Sequence, residues 1–131
     1  HELDRQQWFV EIPPTGTCPG YTYKSLERAG EHRKILQQQW PDKIDTIHWL
    51  INLLRPYNSK FCENVATIYA AWNDLIVQGD EITEEAILYE ILEKWHEDKK
   101  LVSRAQWLNV ISWMKREELA PKGFGKLTII K

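Results

Sequence analysis

The residue types that most often carry chemistry are dispersed along this chain. His32, His48 and His96 lie far apart, and Cys18 and Cys62 are separated by more than forty residues. None of them has a Cys, His or Asp neighbour at the short spacing of a zinc site. No Gly-x-Ser-x-Gly, His-Glu-x-x-His, phosphate loop or dinucleotide fingerprint occurs. Gly123-Phe124-Gly125 is too short to cradle a phosphate. The acidic pairs Glu84/Glu85 and Glu117/Glu118 fall near expected helix ends, where the helix dipole and solvent account for them. The sequence therefore predicts no metal, no cofactor and no enzyme. An active site assembled from distant residues stays open as an alternative. His48 is expected to be a core histidine, and His96 a cation at a helix end.

Charge is the more informative chemistry. The chain holds 17 Lys/Arg and 19 Asp/Glu, a net charge of −2. Residues 99–131 take eight of the basic groups and only two of the acids, which leaves 9 basic and 17 acidic groups for residues 1–98. A basic segment on an acidic body suggests an anionic partner, and equally a basic face neutralised by its own chain. The basic residues with the best placement for phosphate contact are Arg104, Lys115, Arg116, Lys122 and Lys126. Gln106 and Asn109 are the residues on the same segment that can read base edges, and Gln106 is already claimed by a capping pattern.

The positioning elements follow from apolar periodicity and stop signals. Residues 1–24 read as an irregular arm around Pro13-Pro14 and Pro19-Gly20, in which Gln7–Ile12 has the composition of a short strand. Helices are expected near 26–39 (capped by Ser25), 42–54 (capped by Asp42), 59–78, 84–96 and 104–118. Thr83 with Glu84 and Glu85 marks one start, and Ser103-x-x-Gln106 is a capping box. Gly79 belongs at a helix C-terminus. Lys126–Lys131 reads as a closing strand. The expected fold is mainly α, a five-helix single domain of residues 1–131: the arm, a helical pair over 25–56 and a unit over 59–131, with one core shared by all five helices.

With 131 residues, 43% hydrophobic and 27% charged, the chain can bury a core without metal or disulfide staples. Two widely separated cysteines suggest free thiols in a reducing cytoplasm. No apolar run is long enough for a membrane span, and no signal-peptide pattern opens the chain. It begins at His1-Glu2 without Met, as a piece of a longer protein would.

Residues 59–131 resemble a winged-helix unit: support helices, a helix 104–118 in the recognition position, then Pro121-Lys122-Gly123-Phe124-Gly125 and a strand as the wing. The resemblance implies duplex nucleic acid as a partner, with Arg104 at the start of the recognition helix, Lys115 and Arg116 near its end, and Lys122 and Lys126 on the wing. A fainter likeness rests on Thr46-Ile47-His48-Trp49, Trp95, Lys99-Lys100 and Trp107. These are similar to the helical C-terminal region of DarG-type antitoxins, and the style of the last helices is similar to helical appendages of bacterial restriction and defence proteins. That likeness implies an accessory module of a bacterial defence or mobile-element protein. The alternative partner is a protein, docked on Trp49 or Trp113. Trp113 lies about a third of a turn from the centre of its helix's core face, and packing against the rest of the chain is the simpler role for it.

Overall fold

The computed structural model describes residues 5–17, 20–95 and 97–128. It is mainly helical, with five α-helices and one two-stranded antiparallel sheet among the described residues. The chain divides into two compact units, residues 1–53 and 54–131.

In the first unit, β1 (Phe9–Ile12) pairs with β2 (Thr22–Ser25), Phe9 opposite Ser25 and Ile12 opposite Thr22. β1 matches the strand expected at 7–12. β2 turns the supposedly irregular arm into a hairpin. It was hidden because Thr22-Tyr23-Lys24-Ser25 is exposed along its whole length and so lacks an apolar alternation. Ser25 therefore ends a strand and caps no helix. Residues 26–30 form turns held to the preceding arm by Leu26 N–H donating to Trp8 O (2.9 Å) and Arg28 N–H to Gln7 O (3.0 Å). The first helix, α1, starts only at Glu31 and runs to Gln39, entered through Gly30 at φ +102°. That left-handed backbone suits glycine. Pro41 ends α1, and Asp42 sits inside a 3₁₀ turn, Pro41–Lys43, that leads into α2 (Ile44–Leu54). No residue of α1 or α2 is buried.

The second unit contains the core. α3 (Ser59–Gln78) has the expected bounds and is capped by Asn58, whose side chain accepts from Phe61 N–H at 2.9 Å while its own backbone is extended. At the other end Gly79 adopts φ +78°, with Gly79 N–H donating to Ile76 O and Asp80 N–H to Leu75 O, a Schellman close. α4 (Glu84–Tyr89) is capped by Thr83 as expected, and then widens into a π-helical turn over Glu90–Lys94. A 3₁₀ segment (Glu97–Leu101) leads to α5 (Arg104–Arg116), which opens with both halves of the Ser103/Gln106 capping box.

Ile68 and Ala71 from α3, Ile87 and Leu88 from α4, Ile91 from the π turn, and Trp107, Ile111 and Met114 from α5 are essentially inaccessible to solvent. Each such large side chain contributes roughly 1.5–3 kcal/mol relative to an exposed position. The core is thus built by three helices and the π turn, and not by all five helices.

After Leu119 the chain runs without regular structure to Thr128, held by two adjacent α3 residues. Asn73 Oδ1 accepts from Gly123 N–H (3.1 Å) and Phe124 N–H (2.9 Å), while Asn73 Nδ2 donates to Phe124 O (2.9 Å). Asp74, 1% exposed, accepts from the backbone N–H of Thr128 at 3.0 Å and from its hydroxyl at 3.1 Å. Residues 126–128 of the expected closing strand are irregular, and 129–131 lie outside the described residues.

Gly123 and Gly125 share φ +78°, but a Cβ on Gly123 would sit 2.6 Å from Ile76 Cγ2, whereas one on Gly125 would meet nothing. Each Gly→Ala change costs about 1–2 kcal/mol for the left-handed backbone. G123A carries the steric conflict in addition and is expected to be clearly the more destabilising in urea unfolding. Equal losses would show that the tail does not press on Ile76.

Candidate functional site

The capping box at Ser103 fixes the direction of α5 and so places its cations. α4 begins beside it with Glu84 and Glu85, which the positive end of that helix favours. The two helices meet through these charges. Arg104 Nη2 binds both carboxylate oxygens of Glu85, 2.6 Å from Oε2. Lys115 Nζ lies 2.7 Å from Glu84 Oε1. Arg116 has the looser partner, Glu117, at 3.5 Å. Upstream, Lys99 Nζ reaches Glu63 Oε1 on α3 at 2.7 Å. Lys122 and Lys126 are exposed on the tail and form no ion pair among the described residues.

The five cations expected to contact phosphate thus split into two sets. Arg104, Lys115 and Arg116 are matched one for one by Glu85, Glu84 and Glu117, and Lys122 and Lys126 keep their charge open. The pairs are solvent-exposed, so each adds little to stability. Their larger effect is on the field: each carboxylate offsets the cation it pairs with. Gln106 is held by the cap, its Oε1 accepting from Ser103 N–H at 3.0 Å. Asn109 is exposed.

Trp113 is 6% exposed. It offers no open face to a partner, which corrects its candidacy as an exposed anchor. Its Nε1 donates to the Tyr57 hydroxyl at 2.9 Å, and its ring meets Phe61 and Tyr57 edge-on at 5.0 and 5.3 Å. Tyr57 and Phe61 stack on each other at 4.3 Å. Tyr57, just before α3, and Phe61 in its first turn therefore extend the core over a position that α5 alone leaves at its edge. Such ring pairs contribute about 0.5–1.5 kcal/mol each beyond area burial. Trp49 is different: it is 44% exposed on α2, with Leu50 and Ile51 also exposed beside it.

His48, expected in the core, is exposed, because α2 has no buried side to receive it. His32 is half-buried, its ring 6.0 Å from Trp8. Cys62 is a free thiol whose Sγ points to Leu54 O at 3.8 Å. Cys18 and His96 lie outside the described residues. Among the described residues no group of three or more His, Cys, Asp and Glu side chains could hold a metal ion, and no helix is long and apolar enough to cross a membrane.

Sequence reasoning missed the charged pair inside the π turn. Glu90 is buried, with Lys94 bound to its carboxylate. Glu90 follows the core residue Ile87 by three positions and so falls on the same helix face. Lys94 supplies the countercharge that a buried carboxylate requires.

Hydrogen bonds first from Lys99 and then from Lys60 hold the Glu63 carboxyl below the usual glutamate range. Glu90 holds the Lys94 ammonium above the usual lysine value. Stability linked to Glu63 is present above the ordinary carboxylate pKa and is lost as pH falls through the lowered one. Stability linked to Lys94 is present below the ordinary lysine pKa and is lost as pH rises through the raised one. Between these limits neither group makes stability depend on pH. NMR titration of the Glu63 carboxyl should show its midpoint moving up in K99A, and by less in K60A. An unmoved midpoint in K99A would remove the Lys99–Glu63 pair from this account.

No protein-family model, curated protein or solved structure matches the chain.

Proposed function

We propose that this chain is a non-catalytic accessory module that binds a protein partner through α2. The observation that carries this reading is the mismatch between the composition of α2 and its burial. Ile44, Ile47, Trp49, Leu50, Ile51, Leu53 and Leu54 make seven of its eleven residues large and apolar, yet none of its residues is buried. Exposed apolar residues concentrated on one helix mark interaction surfaces, and a tryptophan among them is the side chain most enriched at binding hot spots. The likeness of Thr46–Trp49 to the helical region of DarG-type antitoxins fits the same accessory role.

A second reading, duplex nucleic acid on a winged-helix-like second unit, is favoured by Lys122 and Lys126, whose charges stay open on the tail. Two lysines are a weak footprint: each phosphate contact changes the log–log salt slope by only about 0.9. The internal pairing of Arg104, Lys115 and Arg116 is the reason for ranking this reading second.

Two measurements separate the readings. Wild-type protein should bind the apolar dye ANS, and W49E/I51E should lose most of that signal while keeping its helical circular dichroism. Fluorescence anisotropy with a labelled DNA duplex at low salt should show no binding by wild type. Tight, steeply salt-dependent duplex binding that K122A/K126A abolishes would replace the protein reading with the nucleic-acid one. Dye binding unchanged in W49E/I51E would remove α2 as the docking surface.

A further inference from the structure

Sequence and structure disagree at the end of α5. Arg116, Glu117, Glu118, Leu119 and Ala120 are all strong helix formers, and Pro121 is the first residue that must stop a helix. The helix nevertheless ends at Arg116. Glu118 takes a left-handed backbone, φ +57°, at a position where glycine is usual. This turn lets the chain fold back, so that residues 123–128 reach α3.

The turn has an alternative with the same hydrogen bonds. Glu118 N–H now donates to Lys115 O at 3.3 Å, and Leu119 N–H to Met114 O at 2.9 Å. In a continued α-helix the two donors exchange acceptors, Glu118 pairing with Met114 and Leu119 with Lys115. No backbone group loses a partner, and Glu118 is released from its left-handed conformation. The chain then runs on along the helix axis at about 1.5 Å per residue instead of turning back, and the tail leaves its own α3.

The other end of the tail shows what must replace it. Asn73 grips only backbone groups of Gly123 and Phe124. Asp74, 1% exposed, is met by the backbone N–H and hydroxyl of Thr128. A buried carboxylate left without donors is costly. The identical tail of a second copy supplies the same groups, and none of these bonds depends on which copy provides it.

We propose that residues 117–119 are a hinge between a monomer with the tail folded back and a two-fold dimer in which α5 runs straight on. In the dimer each copy seats residues 123–128 on Asn73 and Asp74 of the other. Exchange of an identical segment is a low-cost route to a dimer, and a strained hinge favours it. Concentration then sets which form is populated. The inference concerns the second unit alone and does not rest on the reading of α2.

Sedimentation equilibrium of the whole chain, from micromolar to millimolar, should show a monomer–dimer equilibrium. Isotope-filtered NMR on a dimer of labelled and unlabelled copies should connect Phe124 of one copy to the Asn73 side-chain amide of the other. Glu118 is exposed, so E118G folds. Glycine removes the cost of the left-handed turn from the monomer, and E118G should raise the dimer dissociation constant at least about tenfold. W49E/I51E should leave the dimer intact, which separates this exchange from association through α2. A chain that stays monomeric at millimolar concentration would overturn the proposal. So would a dimer whose Phe124–Asn73 contacts lie within one copy, a dissociation constant unmoved by E118G, or a dimer lost in W49E/I51E.

Discussion

The second unit depends on the burial of α3. Its middle turns are enclosed: Ile68 and Ala71 are inaccessible to solvent, and the helix packs against α4, the π turn and α5. The ends of the helix extend its influence. At the start, Tyr57 and Phe61 cover Trp113, and near the end Asn73 and Asp74 hold the tail. α3 therefore positions every feature with functional interest in this unit: the Asn73–Asp74 seat of the tail, the α5 cations through the shared core, and Lys122 and Lys126 through the tail.

Polar groups within this apolar frame are placed with specific partners. Asp74 is enclosed without a cation, and both of its carboxylate oxygens are met by Thr128. Glu90 is enclosed with one, Lys94. A buried carboxylate needs donors or a countercharge, and these two use one remedy each. Asn64 uses neither at its carbonyl oxygen. Trp107, fully buried in the core, also leaves its Nε1 without a partner. The two cases differ in setting, since Asn64 borders a cleft and Trp107 is enclosed in the core.

Charge pairing between α4 and α5 bears directly on partner choice. A count along the chain finds a basic C-terminal third on an acidic body, which invites an anionic partner. In three dimensions the acids at the start of α4 stand beside the basic ends of α5, so much of the contrast cancels locally. The helical pair of the first unit shows the complementary situation. Its charges are unremarkable, but its apolar side chains lack a covering surface, and that directs attention from anions to an apolar partner.

How far each feature could be read from the chain depends on the distance over which its cause acts. The helical class, the Thr83 cap, the Ser103/Gln106 box and the Gly79 close are local: the interacting groups lie within one helical turn, so residue type and spacing identify them. The start of α1 was misread because Ser25 is a good cap only if nothing else claims it, and here it pairs across a hairpin with Phe9. The bounds of α3 were legible, but its cap was not: Asn58 and Ser59 are both competent caps, and only the backbone at each decides between them. The sequence by itself determined a mainly helical chain, a basic final third and the absence of familiar catalytic motifs, all properties of composition and short-range spacing. The tertiary structure alone decided that Trp113 is covered and Trp49 is not, that Arg104 and Lys115 meet Glu85 and Glu84, and that Asn64 lines a cleft with its carbonyl unpaired. Those outcomes join residues up to more than fifty positions apart, as with Tyr57 and Trp113. Packing of whole helices sets such contacts, and no local pattern encodes them.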